Sequence, residues 1–151
     1  MQKIVPFLWF DNNAEEAIAF YSSIFKSART VQANRRGDGT LMSATFELEG
    51  QTFMALNGGP HFQFNEAVSL FVNCETQEEV DDLWERLTAD GGQESRCGWL
   101  KDKFGLSWQI VPTILGELLQ DKDERKANNV MQAMLRMNKL DIEALKQAYA
   151  Q

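Results

Sequence analysis

The chain has 151 residues, enough for one well-formed core and short for two ordinary domains. Its 44% hydrophobic and 11% aromatic residues are those of a globular protein, and no apolar run approaches the roughly 20 residues of a membrane helix. A formal net charge of −7 repels phosphate backbones, and no basic stripe is interleaved with aromatics, which argues against a nucleic-acid partner.

The opening MQKIVPFLWF has one lysine before a short apolar run and no small-residue cleavage site, so no export signal is expected. Cys74 and Cys97 lie outside any CxxC motif, and a chain with a real core does not need a staple. A reduced, cytoplasmic protein is the expectation.

Lys3 to Phe10 is too short for a helix and rich in β-branched and aromatic residues, so it predicts a strand. Asp11, Asn12 and Asn13 offer capping oxygens to a helix whose Ala17, Phe20, Tyr21 and Ile24 fall at helical spacing. Strands are expected at Ala28 to Arg35, Thr40 to Leu48 and Gln51 to Asn57, separated by the turn signals RGDG and EG. Arg35 and Arg36 read as a solvated hairpin tip beside Gly37 and Gly39.

After the loop GGPHFQFNE the order begins again. Ala67 to Cys74 predicts a strand, and Thr76 caps a helix to about Ala89 with Val80, Leu83, Trp84 and Leu87 on its apolar face. Glu94 to Lys101 and Phe104 to Val111 are the next strands. A shift of 63 positions superposes the two helices, laying Ala17, Phe20, Tyr21 and Ile24 on Val80, Leu83, Trp84 and Leu87. A shift of 55 lays GQTFMAL over GLSWQIV. One βαβββ unit has therefore been used twice, with halves at 1–65 and 66–112 and an α+β fold. From 113 to 151 three helical patterns follow, capped by Thr113, Asp121 and Asp141. Their apolar positions Val130, Met134, Leu135, Leu140, Ile142 and Leu145 are expected to pack on the same domain or on a dimer partner.

Paired βαβββ units resemble the vicinal oxygen chelate superfamily of glyoxalase I, bleomycin-resistance proteins and extradiol dioxygenases. FLWFDNNAEEAIAFY, FMALNGGPHF, the long CGWLKDKFGLSWQIVP and the tail MLRMNKLDIEALKQAY resemble more closely its PhnB-like family, often described as 3-demethylubiquinone 3-methyltransferase-like. The resemblance implies the glyoxalase/bleomycin resistance fold, a cavity between the modules and a homodimer. It also implies metal ligands at Pro6, Met54, Ser69 and Gln109. Those residues lack the imidazole and carboxylate donors that hold zinc, nickel or iron, so no metal and no other cofactor is expected. A methyl-donor site is not expected either, because the glycine-rich piece NGGP carries a proline and no helix follows it.

If Pro6 faces the cavity, alternation brings Leu8 and Phe10 there, as it does Leu56 with Met54 and Phe71 with Ser69. With Trp99 and with Asn57, Ser69 and Gln109 as polar spots, the wall suits a flat, hydrophobic ligand. His61, the only histidine, is a candidate acid or base near the cavity mouth, against the plainer reading of an ordinary loop histidine. Cys97 is a candidate nucleophile with no adjacent cation but Arg96 on the other face, and reads more simply as structural. Asp102 and Lys103 read as a hairpin turn rather than a catalytic pair.

The expected function is metal-independent binding of a hydrophobic or aromatic small molecule between the modules of a homodimer. The alternatives are a metal-free enzyme on a small hydrophobic or quinone-like substrate and an interaction module working through the C-terminal helices.

Overall fold

In the first half a strand, Phe7–Phe10 (β1), leads through a short loop to a helix, Ala14–Ile24 (α1), and then to strands Arg29–Arg35 (β2), Leu41–Leu48 (β3) and Gln51–Asn57 (β4). The second half repeats the order with Ser69–Cys74 (β5), Gln77–Thr88 (α2), a 3₁₀ turn at Ala89–Gly91, then Gln93–Glu94 (β6), Trp99–Lys101 (β7) and Ser107–Pro112 (β8). The computed structural model describes residues 2–151, and among them the strands form two four-stranded sheets, ordered β1-β4-β3-β2 and β5-β8-β7-β6. The chain divides into two units after Phe64, each holding one sheet. The paired βαβββ architecture expected from the repeat is present.

Each unit closes its first strand onto its last in parallel and joins the others antiparallel. A parallel neighbour needs a crossover, which α1 with β2 and β3 supplies in one unit, and α2 with β6 and β7 in the other. The helices cover one face of each sheet. Ala14, Ala17, Ile18 and Tyr21 of α1 are buried, as are Val80, Leu83, Trp84 and Leu87 of α2. These two sets share one spacing at an offset of 66 positions, Ala14 onto Val80 and Tyr21 onto Leu87, which replaces the expected shift of 63. Phe20 and Ile24, assigned to the α1 core by the shorter shift, are only half-buried.

Two further expectations are corrected by hydrogen bonding. Asn13 holds the cap position of α1 but makes no capping bond with its side chain. The capping oxygen comes instead from Asn57 at the end of β4, whose Oδ1 accepts from the Ala14 N–H at 2.8 Å. Its amide donates to the Leu41 carbonyl at 3.0 Å, so one buried side chain ties α1, β3 and β4 together. The strand expected from Glu94 to Lys101 is broken between β6 and β7. There Cys97 and Gly98 take φ of 59° and 84°, and their N–H groups donate to Met137 and Asn138 carbonyls, each at 2.8 Å. A Cβ on Gly98 would lie 2.9 Å from the Ile110 carbonyl oxygen and from Leu140, so the glycine is required by both conformation and space.

Those acceptors belong to the C-terminal segment, which is part of the second unit: helices Thr113–Leu119 (α3), Glu124–Leu135 (α4) and Ile142–Ala150 (α5). Val111, Leu115, Val130, Leu140 and Leu145 make its core, whereas Leu135, expected inside, is exposed. Asp141 caps α5 as expected, bonding the Ala144 N–H at 3.0 Å. Asp123, not Asp121, caps α4, because Asp121 already accepts from the Asp123 N–H and the Tyr149 hydroxyl. Thr113 is the first helical residue of α3, with Pro112 in the cap position. Gln77 at the start of α2 clamps the α4–α5 connection, accepting from the Ile142 N–H at 2.7 Å and donating to the Leu140 carbonyl at 3.0 Å.

Asn57→Ala leaves the Ala14 N–H without its partner and the Leu41 carbonyl with only the longer bond from Arg36, and is expected to destabilise the protein by about 1 to 2 kcal/mol. Urea unfolding at constant m-value measures it. A loss under about 0.5 kcal/mol contradicts the capping role.

Candidate functional site

Strand register decides which side chains face away from the helices. In the first unit β1 pairs with β4 so that Phe7 lies beside Met54, Leu8 beside Ala55, Trp9 beside Leu56 and Phe10 beside Asn57. Leu8, Phe10, Phe53, Ala55 and Asn57 are buried on the side of α1, and the residues that alternate with them face the other way. Leu8, Phe10 and Asn57, expected beside Met54 and Leu56, therefore occupy the opposite face. The error came from starting the alternation at Pro6, which precedes the strand, and a slip of one residue flips every side chain. The face opposite α1 carries Phe7, Trp9, Met54 and Leu56 at its β1–β4 edge. Toward β2 it turns polar, where Asn34 bonds Ser43 at 3.0 Å and Arg29 pairs with Glu47 at 2.7 Å. Trp9 is held by its indole N–H on the Gly59 carbonyl at 2.9 Å and by Phe62, edge-on at 4.9 Å.

In the second unit the expected residues do share a face. Phe71, Gln109 and Trp99 are direct neighbours across β5, β8 and β7, and Ser69, Ser107, Lys101 and Gln93 form the adjacent row across β5, β8, β7 and β6. The face is thus ruled into an aromatic row and a polar row. Gln109 links the two by donating its amide to the Ser69 hydroxyl at 2.9 Å. Phe71 is 53% exposed and Trp99 half-buried, so the aromatic row is accessible. Val111, two residues beyond Gln109 on β8, lies under the C-terminal helices, which bound the face at that end. Phe7 and Trp9, and Ser107 and Lys101, were missed; alternation from Gln109 and from Trp99 points to Ser107 and Lys101, whereas Phe7 and Trp9 follow only from the register of β1 on β4.

His61 and Cys97, the candidate catalytic residues, both lie in turns between strands. His61 is exposed in the loop after β4, beside the Phe62 that meets Trp9 edge-on. Cys97 is half-buried in the break between β6 and β7, its position set by the bond to Met137. Cys74 is buried at the end of β5; desolvation, aided by the Glu79 carboxylate, pushes its thiol pKa up to about 12. Asp102 is buried and organises the β7–β8 turn: its carboxylate accepts from the N–H groups of Phe104 and Leu106 at 2.9 and 3.1 Å and from the Trp108 indole at 2.9 Å.

Two hollows open on these elements. One of about 450 Å³ lies among Asp11, Asn12, Arg36, Thr40, Asn57 and Gly58, but its guanidinium is already engaged, Arg36 donating to the Asn57 carbonyl at 2.9 Å. The other, of about 200 Å³, is lined by Glu66, Gln93, Ser95, Trp99, Lys101 and Ser107 and sits at the polar row. Within each unit the residues expected at metal positions are weak donors: Met54 carries a thioether, and the neutral Ser69 hydroxyl is already bonded to Gln109. Among the described residues, no group of three or more His, Cys, Asp or Glu side chains is placed to hold one. No helix among them is long and apolar enough to cross a membrane.

A family model described as 3-demethylubiquinone-9 3-methyltransferase matches residues 2–111. The chain is similar to the structure of a PhnB protein from Bacillus cereus, with 38% identity, 74% of this chain and 100% of that one covered, and a TM-score of 0.70. It shares its fold with a glyoxalase-related enzyme from Fulvimarina pelagi at 20% identity, covering 76% and 91% of the two chains with a TM-score of 0.51. A fosfomycin resistance protein, FosX, from Listeria monocytogenes, solved with manganese(II), matches at 18% identity over 72% and 90% of the chains with a TM-score of 0.52. No curated protein matches the sequence. The two sheets have the glyoxalase/bleomycin resistance fold, and α3, α4 and α5 lie beyond the family match.

The difference between the two thiols is testable by alkylation. With iodoacetamide at pH 8, Cys97 is expected to be modified first and Cys74 only on unfolding, since a raised thiol pKa withholds the reactive thiolate at that pH. Mass spectrometry showing Cys74 labelled first in native protein contradicts this assignment.

Proposed function

The chain belongs to the 3-demethylubiquinone-9 3-methyltransferase family, and from that premise we propose that it binds a flat, hydrophobic small molecule on the second sheet without a metal ion. The observation that carries the reading is the row Phe71, Gln109 and Trp99 on the face away from α2. An exposed phenyl ring and a half-buried indole on either side of an amide give stacking surface with one directional polar group, the composition of a small-molecule site. Because Gln109 spends its N–H on Ser69, its amide oxygen is held in a fixed direction for a ligand hydroxyl or N–H.

Methyl transfer receives no support from the residues present. A methyl-donor site needs glycine between a parallel strand and its helix, but DNN joins β1 to α1 and Glu75-Thr76 joins β5 to α2.

Menadione, a flat naphthoquinone, is a direct probe. At a hundredfold excess over Kd it is expected to raise Tm by about 5 to 10 °C, unchanged by EDTA and retained in His61→Ala and Cys97→Ser. Phe71→Ala is expected to weaken binding about tenfold, read by tryptophan fluorescence. A shift abolished by EDTA, or one indifferent to Phe71→Ala, sinks the proposal. Turnover of the quinone that vanishes in His61→Ala supports the enzyme reading in its place.

A further inference from the structure

The polar row beside the aromatic one holds a group that the binding reading leaves unused. Ser107 is 1% exposed, and its hydroxyl is the buried side-chain oxygen that finds no hydrogen-bond partner among the described residues. A buried hydroxyl left unbonded costs stability, so native proteins seldom keep one without a use. Ser107 lines the hollow of about 200 Å³ together with Lys101, Glu66, Gln93 and Trp99.

What covers it is readable from the topology. Lys101 lies directly beside Ser107 on β7, and Ser69 directly beside it on β5. The Lys101 ammonium pairs with the Glu66 carboxylate, on the segment leading into β5. The pair therefore reaches from one neighbour strand of β8 to the approach of the other, across the position that Ser107 occupies. Both partners are substantially exposed, at 37% and 61%, and an exposed ion pair holds weakly and opens readily.

We propose that Ser107 is the floor of a polar subsite that admits a neutral carboxamide when the Lys101–Glu66 pair opens. The inference rests on the reading of this face as the ligand-binding one. An inserted carboxamide replaces both lost interactions at once: its oxygen accepts from Lys101 and Ser107, and its N–H donates to Glu66. A carboxylate meets Glu66 and Glu94 against the single cation Lys101, and an ammonium leaves Lys101 with a like charge beside it. A neutral group that both donates and accepts avoids each penalty, and the adjacent aromatic row seats the ring that carries it.

Benzamide, benzoate and benzylamine share a phenyl ring and differ in the group offered to Ser107, so ¹H–¹⁵N spectra of the full chain titrated with each test the assignment. Benzamide is expected to bind at least about threefold tighter than the other two and to shift the amides of Glu66, Lys101 and Ser107. Ser107→Ala is expected to weaken benzamide by roughly three- to tenfold, to leave menadione binding unchanged, and to raise the unliganded Tm by about 2 to 4 °C as the unbonded hydroxyl is removed. Glu66→Gln, a surface change that frees Lys101, is expected to make benzoate the preferred probe. Benzoate preferred by the unaltered protein, or benzamide shifts confined to Phe71 and Trp99 with Ser107→Ala indifferent, overturns the subsite and leaves the aromatic row standing. Failure of benzamide and menadione alike overturns both.

Discussion

Parallel pairing of the first and last strands in each unit is the constraint on which the remaining features depend. Because β-strand side chains alternate, the pairs Phe7 with Met54 and Phe71 with Gln109 fix the face of every residue on β1, β4, β5 and β8. The helices then bury one set. In the first unit Tyr21, Phe46 and Ala55 have no solvent exposure, and in the second Val80, Leu87 and Ile110 have none. The other set is left over, and a function that uses the sheet must use it.

Buried polar groups hold that arrangement in place. Asn57 satisfies a helix N-terminus from the end of a strand, and the Asp102 carboxylate gathers two turn N–H groups and the Trp108 indole. Both turn a polar cost into a geometric constraint, since a buried polar side chain with all its partners admits few alternative packings. Ser107 is the contrasting case, buried and unbonded one strand position from Trp108. The C-terminal helices add a second kind of support. The connection between α4 and α5, through the Met137 and Asn138 carbonyls, takes the N–H groups of Cys97 and Gly98 at the break between β6 and β7 beside which Trp99 emerges.

The sequence was most legible where structure is local. The α2 core of Val80, Leu83, Trp84 and Leu87 follows from helical period, and Thr76 caps it as expected, accepting from the Glu79 N–H at 3.2 Å. Strand faces are not local. They depend on register between residues some 47 positions apart, 7 with 54, and an offset of 63 in place of the observed 64, from Phe7 to Phe71, is enough to reverse a face. That is why Leu8 and Phe10 were misplaced, while Phe71, placed by alternation from Ser69, shares a face with Ser69, Trp99 and Gln109 on strands that pair directly. The Asn57 cap and the break at Cys97 and Gly98 were hidden for the same reason, their partners lying about 40 residues away in sequence.

The central claim is that the face carrying Phe71 and Trp99, and not the α-helical side of either sheet, receives the ligand. A ¹³C-filtered NOESY spectrum of labelled protein saturated with menadione tests it most directly. The account predicts cross-peaks from the quinone ring protons to the side chains of Phe71 and Trp99. Cross-peaks to Leu8 or Phe10, with none to Phe71 or Trp99, would contradict it.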